Sequence, residues 1–175
     1  MTRVAAIDCG TNSIRLLVSD VPDGGAAVDL LRRMEVVRLG EGVDATGRLS
    51  AAAIERTRRV LAEYAAQAAE LGATAVRMVA TSATRDAANR TDFEQMVRAT
   101  LGRLPDVVSG REEAELSFLG ATTSLDAAAA AHGSDPVPAP YLVVDIGGGS
   151  TEFVVGRGAE VEFHVSTQAG VVRHT

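Results

Sequence analysis

Two short stretches hold the residue types that phosphate and metal chemistry needs. Asp145 to Glu152, DIGGGSTE, sets an acid, three consecutive glycines, two hydroxyls and a second acid within eight positions. Asp8 to Ser13, DCGTNS, follows the same plan with one glycine. A tight glycine turn directs backbone N–H groups into one concavity, and phosphate is a common occupant of such a nest. Glycine weakens a strand interior, so three in a row mark a place where backbone comes close to something. An acid beside the turn repels phosphate directly but can hold a divalent cation, or the cation's waters, next to it. The candidate phosphate contacts are therefore Gly10, Thr11, Asn12 and Ser13 in one turn, and Gly147, Gly148, Gly149, Ser150 and Thr151 in the other. Asp8, Asp145 and Glu152 are the candidate metal ligands. Asn12 and the hydroxyls have an ordinary alternative role as turn caps.

The elements around these turns form a repeat. Val4 to Val18, VAAIDCGTNSIRLLV, aligns with Tyr141 to Val155, YLVVDIGGGSTEFVV, so that Asp8 falls on Asp145, an offset of 145 − 8 = 137 residues. Gly10 then falls on Gly147, Ser13 on Ser150 and Arg15 on Glu152. Each copy reads as apolar strand, acid, polar glycine turn and second apolar strand, the pattern of a β-hairpin. Two related half-structures follow, and two such turns would grip a phosphate chain between two lobes.

Between the copies the spacing predicts a strand over about Leu30–Leu39 and a helix capped by Ser50 and stopped by Gly72, with Ile54, Leu61, Tyr64 and Ala68 inward. A buried strand over Ala75–Ala80 follows, then the polar loop TSATRDAANR and a helix over about Asp92–Leu101. A short strand near Pro105–Ser109 leads into a helix from Arg111. Ser109 and Glu112 fit a capping box, which gives Glu112 a structural role and leaves Glu113 without one at the helix start. Leu125–Pro140, rich in alanine and proline, reads as an exposed connection. Strands are expected at about 141–145, 151–156 and 160–166, with no helix to cover the apolar face of that second sheet. This is an α/β architecture of β-β-β-α-β-α-β-α order plus the opening strands of a second lobe. The expected divisions are 1–120 for the first lobe, 121–140 for a helix end and connection, and 141–175 for the start of a truncated second lobe.

Composition narrows the function classes. The chain has 175 residues, a net charge of −6 and no lysine among its 17 basic residues. The acidic balance argues against nucleic acid as partner. The absence of lysine removes the Walker-A phosphate loop, and every cation is a planar guanidinium suited to phosphate oxygens. No apolar run approaches membrane-spanning length, and the start is too short and too soon interrupted by Asp8 for a secretory signal. A single cysteine, Cys9, fits a reducing, cytoplasmic setting and a small apolar strand position rather than a nucleophile. GEGVDA, from Gly40, formally fits a dinucleotide turn, but Thr46-Gly47 delays the helix that such a site requires. His132, His164 and His174 lack metal-ligand spacing. Arg56, Arg58 and Arg59 read most simply as the wet face of their helix.

IDCGTNSIRLLV, RLGEGVDATGRLS, ATSATRDAANR, SGREEAELSFLGA and VVDIGGGSTEFVVG occur in this order along the chain. In that order they resemble the exopolyphosphatase and guanosine pentaphosphate phosphatase family, within the actin, Hsp70 and sugar-kinase superfamily of ribonuclease H-like ATPase lobes. The resemblance implies a hydrolase acting on the terminal phosphoanhydride of inorganic polyphosphate or of guanosine pentaphosphate, with Mg2+ or Mn2+ as cofactor. It implies that Glu113 activates the attacking water, where the residues alone also allow a solvated first-turn acid favoured by the helix dipole. It implies that Arg85 contacts phosphate, where the alternative is an ion pair with Asp86. A phosphotransferase of the same superfamily and a non-catalytic polyphosphate-binding fragment stay open, and a homodimer is a state to be tested.

Overall fold

The structure, a computed structural model, describes residues 1–24 and 26–172. Contacts divide the chain into two compact units, Met1–Val107 and Val108–Thr175.

The first unit is built on a five-stranded mixed sheet in the order β3-β2-β1-β4-β5. Strands β1 (Thr2–Cys9), β2 (Ser13–Val21) and β3 (Val28–Val36) form an antiparallel meander, and β4 (Ala75–Ala80) and β5 (Asp106–Val107) add in parallel beside β1. Strand alternation sends Ala5, Ile7, Cys9, Ile14, Leu16 and Val18 into one core, because successive side chains point to opposite faces. Helix α2 (Ala51–Glu70) brings Ala53, Thr57, Leu61, Tyr64 and Ala68 to that core, at helical spacing, while Ile54 is half-buried at its edge. The Ser50 side chain accepts from the Ala53 amide, and Gly72 takes the left-handed conformation just past the end. Both were legible as start and stop signals. Cys9 is buried, and burial pushes its thiol well above the ordinary range, which suits packing and not nucleophilic attack.

Several local expectations need correction. The polar loop after β4 contains a one-turn helix α3 (Ser82–Asp86) with Ser82, Ala83 and Thr84 buried; the Thr81 carbonyl accepts from the Thr84 and Arg85 amides at 3.1 and 3.0 Å and starts the turn. A one-turn helix α1 (Val43–Thr46) likewise forms inside the glycine-rich loop after β3. Helix α4 (Arg90–Leu101) begins two residues early. β5 shrinks to two residues because Pro105 has no N–H to give a ladder and Ser109 serves as a helix cap. Arg58 and Arg59 pair with Glu55 on the wet face of α2, but Arg56 turns to the loop after β3: its Nε donates to the Val37 carbonyl at 3.0 Å and its Nη2 to Glu41 Oε2 at 2.7 Å.

The second unit contains α5 (Gly110–Thr122), α6 (Leu125–Ala131) and an antiparallel sheet of β6 (Tyr141–Ile146), β7 (Thr151–Arg157) and β8 (Glu160–Thr167). The capping box is present in full, with Ser109 and Glu112 exchanging side-chain bonds to each other's amides. The alanine run forms a helix where a bare connection was expected, since alanine is the strongest helix former. The expectation of an uncovered second sheet holds for one face and fails for the other. Ala114 and Phe118 of α5 pack on Val154, with Tyr141, Val143 and Val161 around them, and the Phe118 and Tyr141 rings lie 6.5 Å apart. Val143 is on this covered face, whereas Leu142, Val144, Ile146, Phe153, Phe163 and Val165 are exposed on the other. Among the described residues no helix is long and apolar enough to cross a membrane. Arg173 and His174 lie outside the described residues.

One ion pair ties the outer ends of β1 and β2. Arg3 Nε and Nη2 reach the two Asp20 carboxylate oxygens at 2.8 and 2.9 Å, and Arg3 Nη1 donates to the Leu71 carbonyl at 2.6 Å. The hydrogen bond from Arg3 holds the Asp20 carboxyl below its ordinary value, against the opposing effect of burial. A lowered folded-state value means stabilisation that is present above the ordinary carboxylate range and is lost as pH falls through the lowered value. Asp20→Asn should therefore lower Tm at neutral pH and flatten the fall of Tm on the acid side, below about pH 4. Parallel Tm–pH curves for wild type and variant would contradict this role.

Candidate functional site

The first turn links β1 to β2. The Gly10 amide donates to the Ser13 carbonyl at 3.0 Å and closes it. Asp8 and Arg15 oppose each other in the ladder just outside the turn, with Arg15 Nη1 3.5 Å from Asp8 Oδ2. Thr11 Oγ1 and Ser82 Oγ lie 3.0 Å apart, so the first turn is hydrogen-bonded to the start of α3. The loop leaving β3 bonds to the turn's carbonyls: the Val37 and Arg38 amides donate to Asn12 O at 3.0 and 2.8 Å, and the Gly40 amide donates to Thr11 O at 2.8 Å. Arg85 is carried on α3, at the C-terminal end of β4, with its Nε 3.7 Å from Asp86 Oδ1. Beside it the Thr84 hydroxyl is buried with no hydrogen-bond partner among the described residues. This puts Arg85 and the Gly10–Ser13 turn at one end of the first sheet, where parallel strands finish and ligands commonly bind.

The second turn repeats the first. The Gly147 amide donates to the Ser150 carbonyl at 2.8 Å, the same closure at the offset of 137 seen in the sequence. Asp145 and Glu152 are opposed in the β6–β7 ladder, where the first hairpin has Asp8 and Arg15. Glu152 is buried, and its Oε1 accepts from Ser150 Oγ at 2.6 Å and Ser166 Oγ at 3.0 Å. Asp145 Oδ2 accepts from Ser117 Oγ of α5 at 2.9 Å. Glu113 lies four residues before Ser117 on the same helix, hence on the same helical face, with an axial rise of about 6 Å between them. The second unit therefore brings Glu113, Asp145 and the Gly147–Thr151 turn to one end of the β6–β8 sheet.

The donor set suits a hard cation. Two carboxylates directly opposed in a ladder repel, and a divalent ion beside them offsets that repulsion. Mg2+ characteristically takes one or two carboxylates and fills its other positions with water and substrate oxygens. Among the described residues no group of three or more His, Cys, Asp or Glu side chains comes together for a metal. An ion here would accordingly be held by Asp145, with Glu152 behind it fixed by its serines, and by waters and phosphate. Asp8 pairs with a cation of the protein's own, which makes it the weaker ligand of the three.

The comparisons with known proteins bear on this arrangement. A profile of the Ppx/GppA phosphatase family matches residues 17–175. The chain belongs to that family. Exopolyphosphatase 2 of Mycobacterium tuberculosis is 51% identical over 183 aligned positions, which take in 100% of this chain and 54% of the relative. The crystal structure of an exopolyphosphatase-like protein superposes with a TM-score of 0.88 at 45% identity, covering 98% of this chain and 52% of that one. The Ppx/GppA family member of Aquifex aeolicus does so with a TM-score of 0.79 at 35% identity, covering 98% and 52%. The chain thus spans about half the length of the Ppx/GppA relatives it matches. A wider neighbour, MreB5 of Spiroplasma citri, has a TM-score of 0.51 at 15% identity and shares the actin-like fold alone.

Sequence reasoning missed the residues behind the turns of this Ppx/GppA chain. Ser82, Ser117 and Ser166 each hold a candidate site residue, yet a serine on a helix or strand gives no signal until its neighbour in space is known. Gly40 stood out only as the first residue of GEGVDA, and nothing in the sequence pattern singled out Gly170. The Glu152 contacts generate a stability test. Glu152→Ala leaves the buried Ser150 hydroxyl without its acceptor and should cost about 1–3 kcal/mol in chemical denaturation. Glu152→Gln keeps an acceptor oxygen and should cost less. Equal costs would show that hydrogen bonding to Glu152 contributes little.

Proposed function

We propose that the protein hydrolyses the terminal phosphoanhydride of inorganic polyphosphate, with guanosine pentaphosphate as the second candidate because both end in the same bond. One observation carries the reading: two glycine turns with the same closing hydrogen bond, each flanked by an acid at the end of its strand. The exopolyphosphatase relatives support the choice of substrate class.

In this reading the turns at Gly10–Ser13 and Gly147–Thr151 bind phosphate oxygens through backbone amides and hydroxyls. Asp145, with Glu152 next to it in the ladder, would hold Mg2+ or Mn2+, which when bound would neutralise phosphate charge and orient the oxygens. Glu113 takes a proton from water as the water oxygen attacks the terminal phosphorus, and the bond to the bridging oxygen breaks with its electron pair leaving on the shortened chain. Its place in the first turn of α5, one turn before the serine that binds Asp145, supports this role. Arg85 offers a guanidinium to the charge that develops on the transferred phosphoryl. The single buried cysteine suits a reducing compartment, and a cytoplasmic location is part of the proposal.

Phosphate release from polyphosphate by the purified protein with Mg2+ tests the reading. Glu113→Gln should leave polyphosphate binding within a few-fold and lower turnover by a factor on the order of 10² to 10⁴. Turnover near wild type would remove Glu113 as the base. Asp145→Asn should raise the Mg2+ concentration for half-maximal activity, because a neutral amide is a poorer ligand for a hard cation; unchanged Mg2+ dependence would place the ion elsewhere. Phosphate transfer from ATP to an acceptor, or binding without release, would assign the protein to a different class.

A further inference from the structure

Each glycine turn is backed by the chain leaving the third strand of its own sheet. In the first unit that chain is 37–40, directly after β3, and it donates three backbone bonds to the carbonyls of Thr11 and Asn12. In the second unit it is 169–172, shortly after β8, where the Val171 amide donates to Gly147 O at 3.1 Å and the Val172 amide to Gly148 O at 2.8 Å. Thr151 Oγ1 donates to the Ala169 carbonyl at 2.5 Å and fastens the same segment. Thr11 and Gly148 are equivalent at the repeat offset, 11 + 137 = 148, and both have their carbonyl taken by the backing loop.

A glycine makes each approach close enough. A Cβ on Gly40 would collide with Thr11 Cγ2, and a Cβ on Gly170 would collide with the backbone of Gly148 and Gly149. The Gly40 loop is further secured by Arg56, whose guanidinium bonds to the Val37 carbonyl and to Glu41.

We infer that Gly40 and Gly170 are positioning residues for the two turns. The loops they admit hold the turn carbonyls on their own amides, so that these oxygens are not presented to an incoming anion. An anion nest needs its N–H groups convergent and its carbonyls elsewhere. Two residues in each turn are fixed this way without any side chain reaching the ligand. Thr11 is pinned twice, by its carbonyl to Gly40 and by its hydroxyl to Ser82. The consequence for phosphate binding rests on the proposed function; the bracing itself does not.

Amide hydrogen exchange of the purified protein without ligand tests the bracing. Gly40→Ala should raise exchange of the Val37 and Arg38 amides and of the amide at position 40, which donate the bracing bonds, by about tenfold or more, the effect of losing one such bond, while the interior of α2 keeps its wild-type protection. In a Thr11→Ser background, which removes the methyl that the new Cβ would strike and keeps a hydroxyl for Ser82, the same substitution should have much less effect. Gly170→Ala meets backbone that cannot be trimmed and should raise exchange of the Val171 and Val172 amides, which donate to the second turn. Affinity for tripolyphosphate with Mg2+, by calorimetry, should fall in the same order among the Gly40 variants. Wild-type exchange at the Val37 and Arg38 amides in Gly40→Ala, or an equal effect in both backgrounds, overturns the inference. If Gly40→Ala unfolds outright, recovery of α2 protection in the Thr11→Ser background supports it and failure to recover overturns it. Wild-type protein that does not bind tripolyphosphate would overturn the phosphate reading, while the exchange result would still decide the bracing.

Discussion

A single backbone hydrogen bond, from the first glycine of a turn to the serine three residues on, organises this protein twice. It closes the turn between β1 and β2 and again between β6 and β7. Closing the turn fixes the ladder register, because a one-residue slip would move every side chain to the other face. That register puts Ile7 and Cys9 in the core and leaves Asp8 at the strand end beside the turn. It also opposes Asp145 to Glu152. The candidate metal and phosphate groups are thus products of the pairing that forms the sheets.

The two copies differ at one ladder position beside the turn. Arg15 in the first hairpin satisfies Asp8 within the protein, whereas Glu152 in the same position adds charge and is held by two serine hydroxyls. Replacing a cation with an anion across a strand pair is a cost to folding. It is sustained in the second hairpin by hydrogen bonds to Ser150, Ser166 and, on Asp145, Ser117. The second hairpin thus sets two acids side by side where the first sets an acid beside a base.

Stability and candidate chemistry are joined in α5. A three-stranded sheet needs a packed face to be stable, and Ala114 and Phe118 supply it. The same helix carries Glu113 and, through Ser117, steadies Asp145. Its capping box sets where the first turn begins and hence where Glu113 falls. The open face, with Leu142, Ile146 and Phe163 exposed, shows how much of this small sheet's support comes from one helix.

What the sequence determined by itself is everything that depends on local spacing. The repeat at 137, the strand periods, the Ser50 and Ser109 caps, the Gly72 stop and the membership of the two turns follow from residues a few positions apart, where steric and hydrogen-bond preferences act directly. The tertiary structure alone decided what depends on residues far apart in the chain. It turned Arg56 from a surface charge into a brace for the loop after β3, laid α5 on the second sheet, coiled the polar stretch at Ser82 against Thr11, and set Gly40 and Gly170 behind the turns. The physical reason is that a serine, a glycine or an arginine has no preference strong enough to announce its partner. The partner is chosen by which backbone the folded sheets bring within hydrogen-bonding distance.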